Sequence, residues 1–108
     1  MFFGCAGVES LRARREAAAY VAAKSALLVY MRSLALEEAP YGVRANMVSP
    51  GLVPHAHASD DTHAKAGDVP LGRAGEVADV ANTVAFLLSA DAAHVTGQNL
   101  DVAGGWLL

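Results

Sequence analysis

Basic residues are scarce in this 108-residue chain, which holds 8 lysines and arginines against 11 acidic residues and carries a net charge of −3. The one basic cluster in the sequence, Arg12, Arg14 and Arg15, has no aromatic residue among its members. Surfaces that bind nucleic acid combine clustered basic residues with aromatic side chains on which bases stack. The composition therefore argues against nucleic acid as a partner.

Cysteine is represented by Cys5 alone, which excludes an internal disulfide and fits a reducing compartment. The first residues, Met1-Phe2-Phe3, lack the basic flank and long apolar run of a signal peptide. We also expect no stretch to reach the length of a transmembrane helix. The sequence therefore predicts a soluble, cytoplasmic protein that does not contact a membrane.

Apolar residues are abundant, at 54% of the chain. A chain of this length forms one domain at most, over residues 1–108, with a modest core. So high an apolar fraction indicates surfaces that something outside the chain would have to cover.

Hydrophobic periodicity predicts strand, helix, strand, helix and strand, over residues 1–6, 17–38, 43–49, 76–89 and 98–102. Helices longer than ten residues between strands favour parallel pairing, so the predicted fold class is α/β with a parallel sheet. Ligands bind such sheets at the carboxyl ends of the strands. The long segment between the second strand and the second helix, about residues 52–75, is predicted to be a functional loop.

Tyr20 and Lys24 lie four residues apart near the start of the first predicted helix. Residues at this spacing share a helix face, so the phenol and the ammonium can meet. A neighbouring cation favours the phenolate and makes the hydroxyl a better proton donor near neutral pH. The pair is therefore a candidate acid/base centre. The alternative is a tyrosine that packs in the core next to a lysine that faces solvent, which would show the same spacing.

Almost the whole chain, from about Phe3 to Trp106, resembles the C-terminal half of a classical short-chain dehydrogenase/reductase. The resemblance is carried by five segments that occur in the family's order. The matching segments are Tyr20-x-x-x-Lys24-Ser25-Ala26-Leu27, Leu34-Ala35-Leu36-Glu37, Tyr41-Gly42-Val43-Arg44-Ala45-Asn46-Met47-Val48-Ser49-Pro50-Gly51, Pro70-Leu71-Gly72-Arg73 and Val95-Thr96-Gly97-Gln98-Asn99-Leu100-Asp101-Val102-Ala103-Gly104-Gly105. The resemblance implies the C-terminal portion of a Rossmann-like, doubly wound parallel sheet.

The resemblance also implies roles for individual residues. Tyr20 would be the general acid/base, and Lys24 would lower its pKa and bind the nicotinamide ribose of NAD or NADP. Pro50, Gly51 and Val53 would line the nicotinamide pocket, and the loop over 52–75 would cover a small alcohol or ketone substrate. Family members are commonly oligomers, so a homo-oligomer is expected.

Several positions depart from the family pattern. The serine that would hydrogen-bond the substrate oxygen has three alternative counterparts here: Cys5 by pattern, Gly7 by spacing, and Ser10. Cys5 would be a weak donor in that role, and the favoured interpretation of this residue is a small buried hydrophobe at the end of a strand. The threonine usual shortly after Pro-Gly is replaced by His55, the proline at the start of the later helix by Val77.

The family's glycine-rich turn, its ribose-binding acidic residue and its catalytic asparagine have no counterpart in the sequence. These belong to the half of the domain that would precede Met1, so we expect a truncated fragment that lacks most of the dinucleotide site. The alternative is a non-catalytic remnant that acts as a self-associating or interaction module through its exposed sheet edge and apolar faces.

Three histidines in the long loop, His55, His57 and His63, raise the question of a metal site. Their spacing matches no established set of ligands, and the nearby Asp60 and Asp61 suit a solvated loop equally well. We therefore expect no metal. A cysteine hydrolase built on Cys5 and one of these histidines is disfavoured, because nothing in the sequence orients such a pair.

Overall fold

A computed structural model describes residues 1–10, 15, 17–54 and 65–107 of the chain. Several sequence predictions concern residues outside these ranges: the three loop histidines, Asp60 and Asp61, Arg12 and Arg14, and the part of the expected substrate loop over 55–64. The described residues form a three-stranded parallel sheet with one long helix on each face. The predicted α/β class and parallel pairing are confirmed.

Helix α1 runs over Ala18–Glu38, one residue from the predicted start and at the predicted end. It buries Leu28, Met31 and Ala35, which recur at three- and four-residue intervals and so face the sheet. A short 3-10 turn over Ala39–Tyr41 follows, with Pro40 near its start. Gly42 then adopts a left-handed φ of 74° and ends the helix, because glycine reaches this conformation without steric cost.

The sheet has the order β1-β2-β3, with β1 over Phe2–Phe3, β2 over Met47–Pro50 and β3 over Asn99–Val102. Phe2 lies opposite Met47 in the first pair of strands, and Met47 lies opposite Asn99 in the second. β2 is therefore the central strand.

The second strand begins at Met47 and not at the predicted residue 43, and side-chain hydrogen bonds are prominent in the residues just before it. The Arg44 guanidinium donates to the carbonyl oxygens of Leu87 at 2.7 Å and Val95 at 3.2 Å. The Asn46 amide donates to Val95 O at 2.8 Å and accepts from the Gln98 N–H at 3.0 Å. These side-chain bonds tie Arg44 to the end of α2 and both residues to the segment before β3.

Helix α2 spans Val77–Leu88, within the predicted 76–89. A capping box starts it: the Glu76 side chain accepts from the Asp79 N–H, and the Asp79 carboxylate accepts from the Glu76 N–H. The Ser89 N–H closes the other end by donating to Ala85 O and Phe86 O. The sequence signal for this helix is strong because both ends carry residues that pair the otherwise unsatisfied backbone groups.

Two hydrophobic clusters lie on opposite faces of the sheet. One joins α1 to β1 and β2 through Leu28, Met31 and Met47. The other joins α2 to β2 and β3 through Val48 and Leu87. Alternate residues of a strand face opposite sides of the sheet, so the neighbours Met47 and Val48 belong to different clusters.

Three apolar residues near the ends of the helices are exposed. Tyr20 is 51% exposed, Val77 73% and Leu88 64%. Tyr20 and Val77 lie in the first turns of their helices and Leu88 in the last turn of α2, where the sheet does not cover them. Helical periodicity identifies the face of a helix but not how far along that face the sheet extends.

The expectation that no stretch reaches transmembrane length was wrong. The segment Ala18–Tyr41 is long and apolar enough to cross a membrane by length and composition. A mostly buried core helix also meets this criterion; here 17% of the segment is buried, including Leu28, Met31 and Ala35 of α1. Length and composition alone are weak evidence for a membrane span.

Replacing Gly4 with alanine is expected to lower the free energy of unfolding by about 2 kcal/mol, the usual scale of overpacking a core. A Cβ at Gly4 would lie 2.7 Å from the Met47 Sδ and closer still to the Ser49 Oγ. The Gly67→Ala variant is the control, because a Cβ there meets nothing within 4 Å. Urea denaturation measures both, and equal stabilities would contradict the expected clash.

The hydrogen bond from Arg73, followed by that from the Glu76 N–H, lowers the pKa of Asp79 to about 2 from an ordinary value of 3.8. The carboxylate therefore stabilises the folded state above about pH 4, and this contribution is lost as the pH falls through 2. An NMR titration of the Asp79 carboxyl should give a midpoint near 2. Arg73→Gln should raise it, whereas Arg32→Gln, whose guanidinium pairs with Glu9, should leave it unchanged. A midpoint insensitive to Arg73 would contradict this assignment.

Candidate active site

The carboxyl ends of the three strands meet at one rim of the sheet. Beyond β1, the Ala6 N–H donates to Pro50 O at 3.1 Å, and beyond β2, the Gly51 N–H donates to Val102 O at 3.0 Å. The turn after the first strand and Pro50-Gly51 therefore lie side by side. Such a rim is where open parallel sheets bind ligands.

Gly51 lies against the backbone that follows β3. A Cβ at this position would be 2.7 Å from both the Cα and the Cβ of Ala103. No other residue fits this distance without displacing one of the two chain segments. The glycine of the Pro50-Gly51 sequence is thus required by the close approach of neighbouring segments at the rim.

Tyr20 and Lys24 meet at the start of α1, as their spacing predicts. The Lys24 Nζ lies 5.6 Å from the centroid of the Tyr20 ring, which is a cation–π distance. The same Nζ donates to the Phe3 carbonyl oxygen at 2.8 Å. Since Phe3 is the last residue of β1, this bond places the lysine at the edge of the sheet, two residues before the turn that contacts Pro50.

Val53 lies on the α2 side of the sheet. It lines an apolar groove of about 630 Å³ that also includes Phe3, Pro50, Val77 and Leu88. Its side chain lies close to Gly75, where an added Cβ would be 3.2 Å from the Val53 Cγ2. Pro50 and Val53 therefore share one apolar wall, and the Tyr20–Lys24 pair belongs to the helix on the opposite face.

The three counterparts of the family serine lie in different surroundings. Cys5 is 7% exposed and packs in the α1 cluster, as the small-hydrophobe interpretation expects. The Ser10 hydroxyl donates to Gly7 O at 2.7 Å, within its own turn. Gly7 has a left-handed φ of 71° and offers no side chain.

A polar chain on the α1 face was missed by the sequence reasoning. The Ser49 hydroxyl donates to Asn99 Oδ1 at 2.5 Å, and the Asn99 amide donates to Asp101 Oδ1 at 3.0 Å. The other Asp101 oxygen accepts from the Gly7 N–H at 3.0 Å. Polar residues two apart in β3, opposite a serine in β2, are the signal that could have revealed this chain.

Among the described residues, no group of three or more His, Cys, Asp or Glu side chains could bind a metal ion. The histidines considered as ligands lie in the segment 55–64, outside that set.

Comparison with known proteins extends over nearly the whole chain. Residues 4–107 match the family described as enoyl-(acyl carrier protein) reductase. The 3-oxoacyl-[acyl-carrier-protein] reductase FabG of Escherichia coli (strain K12) is 41% identical over 90 residues, which cover 80% of this chain and 37% of the relative. The chain spans about a third of the length of the curated relatives it matches.

Solved structures give the same result. A blue fluorescent protein from a metagenomic library, in complex with NADPH, has a TM-score of 0.84 and 34% identity, over 98% of this chain and 44% of that one. A short chain dehydrogenase from Leptospira borgpetersenii, with bound NAD⁺, has a TM-score of 0.80 and 35% identity, over 98% and 43%. The expected Rossmann-like fold is confirmed, and the chain belongs to the short-chain dehydrogenase/reductase family.

Proposed function

We propose that this chain carries the proton-transfer half of an NAD(P)-dependent oxidoreductase that interconverts an alcohol and a ketone. The observation that supports it most is the position of Lys24, whose ammonium lies beside the Tyr20 ring and at the carboxyl end of β1. In an open parallel sheet this is the rim where ligands bind. Relatives named as reductases and dehydrogenases agree with this class of reaction.

Tyr20 is the proposed general acid/base. The residue is 51% exposed, at the start of α1. In the reductive direction the hydroxyl would donate its proton to the carbonyl oxygen, and in the oxidative direction the phenolate would take a proton from the alcohol.

Lys24 is the proposed partner of Tyr20 and a cofactor-binding residue. An ammonium next to the ring favours the phenolate over the phenol, and so makes proton donation by Tyr20 easier. The ammonium has three N–H donors and uses one of them on the Phe3 carbonyl oxygen. A further donor can therefore bind a ribose hydroxyl.

NAD or NADP is the proposed cofactor, since neighbouring structures were determined with NADPH and with NAD⁺. When bound, its nicotinamide accepts or supplies the hydride of the reaction. Pro50, Gly51 and Val53 would line the nicotinamide end, where the backbone after β2 runs along the rim. The donors present suit the ribose and the nicotinamide, and the sequence offers no glycine-rich turn for the pyrophosphate.

A second function, a non-catalytic module that associates through apolar surface, is favoured by the exposed side chains of α1. Val29 is 64% exposed, Tyr30 58% and Leu36 79%. An apolar stripe of this kind is typical of an interaction surface. A homo-oligomer would form under either function.

Replacing the matched stretch of E. coli FabG with this chain tests the role of Tyr20 inside a complete domain. The chimera should oxidise NADPH or NADH in the presence of a ketone. Tyr20→Phe should lower kcat by about 100-fold or more, the scale of general acid catalysis, while the cofactor Kd stays the same. Tyr41→Phe, at a tyrosine 79% exposed beyond the end of α1, is the matched control and should retain full activity.

A folded chimera whose kcat is equally insensitive to both changes would contradict the assignment of Tyr20.

Titration of the separate 108-residue chain with NADPH and NADH distinguishes the two functions. Saturable binding with turnover of a ketone would exclude the non-catalytic module, whereas association without cofactor binding would favour it.

A further inference from the structure

A single carboxylate sets the direction of the polar chain on the α1 face. Both oxygens of Asp101 accept hydrogen bonds, one from the Asn99 amide at 3.0 Å and one from the Gly7 N–H at 3.0 Å. A carboxylate has no hydrogen to donate, so Asn99 must present its NH₂ group to Asp101 and its carbonyl oxygen to Ser49. The Ser49 hydroxyl accordingly donates to that oxygen at 2.5 Å. The charge of Asp101 therefore orients hydrogen bonds that reach as far as the fully buried Ser49.

The contact between Asp101 and Gly7 bridges two strands that are not neighbours. β1 and β3 lie on opposite sides of β2, about 10 Å apart at the usual strand spacing. Asp101 is paired with Ser49, and both lie on the α1 face with Met47, because side chains two residues apart in a strand share a face. The turn after β1 must therefore cross the end of β2 on this face to bring the Gly7 N–H within 3.0 Å of the carboxylate.

Two backbone hydrogen bonds complete a ring with this contact. The Ala6 N–H donates to Pro50 O at 3.1 Å, and the Gly51 N–H donates to Val102 O at 3.0 Å. The turn after β1 is thus tied to the end of β2, and the end of β2 is tied to β3. The Asp101 carboxylate ties β3 back to the turn. A side chain therefore closes a ring whose other two links are made by the backbone.

We propose that Asp101 is a positioning residue for the candidate site. Its carboxylate holds the turn after β1 beside the Pro50-Gly51 segment, the proposed nicotinamide end, without having to touch cofactor or substrate. The turn includes Gly7 and Ser10, two of the counterparts of the family serine. Both the hydroxyl and the N–H of Ser10 donate to Gly7 O, at 2.7 and 3.1 Å, so fixing Gly7 also fixes Ser10. This role rests on the proposed function.

Amide hydrogen exchange of the intact 108-residue chain tests the contact. Asp101→Val removes both acceptor oxygens and keeps a residue type that suits a strand. It should speed exchange of the Gly7 N–H by about tenfold, the scale of losing one hydrogen bond, while the Phe2 N–H of β1 changes little. Asp91→Asn, which removes a negative charge in the turn Ala90–Ala92, is the control and should leave Gly7 unchanged.

A double variant separates the hydrogen bonds from the position of the charge. In Asn99→Asp with Asp101→Asn, the carboxylate at position 99 accepts from Ser49 and from the amide at position 101, whose oxygen accepts from Gly7. Exchange of the Gly7 N–H should return to within about twofold of the wild-type rate. An unchanged Gly7 rate in Asp101→Val, or an equal acceleration at Phe2, would overturn the local role of the carboxylate.

The chimera with FabG measures the consequence for the reaction. Asp101→Val should lower kcat about tenfold, since a displaced turn misaligns the reacting groups. The cofactor Kd should change by less than about twofold, because this chain offers no glycine-rich turn for the pyrophosphate. The double variant should restore kcat, and Asp91→Asn should retain it.

A kcat that is equal in Asp101→Val and Asp91→Asn would overturn the positioning role, as would a double variant no more active than Asp101→Val. Failure of the proposed function would appear instead as full activity of the Tyr20→Phe chimera. The exchange measurements involve neither cofactor nor turnover, so they stand apart from the test of Tyr20.

Discussion

The two parallel ladders on either side of β2 are the constraint on which the other features depend. Val48 of this strand is fully buried. The strands β1 and β3 each pair with β2 in a fixed register, so β2 aligns the two outer strands. Because the ladders run in the same direction, the ends of all three strands arrive at one rim. The turn after β1, the Pro50-Gly51 segment and the start of α1 acquire their proximity from that alignment, and the chemistry proposed for Tyr20 depends on it.

The order and type of the elements could be predicted because their signals are local. α1 shows apolar residues at helical spacing and ends at Pro40 and Gly42, and α2 begins with a capping box formed by Glu76 and Asp79. The predicted second strand began too early, and the residues just before the observed strand bond to partners that are distant in sequence. Arg44 and Asn46 bond to groups about 50 positions away, and no local pattern encodes such contacts.

The candidate site likewise has features that follow from local sequence and features that depend on tertiary contacts. The meeting of Tyr20 with Lys24 follows from their spacing on one helix, whereas the bond from Lys24 to the Phe3 carbonyl joins two elements and depends on the tertiary arrangement. The need for glycine at position 51 likewise arises from Ala103, beyond the last strand. Motifs indicated which residues to consider, and packing determined which atoms they touch.

Asp101 connects the end of the chain to its beginning, since its carboxylate holds the Gly7 N–H across 94 positions of sequence. Contacts of such long range are slow to form, because the entropy of closing the intervening loop opposes them. The turn that leads to α1 therefore gains this anchor when β3 pairs with β2. The turn that precedes the helix of Tyr20 thus depends on a residue of β3, so the order of this turn is coupled to the pairing of β3 with β2.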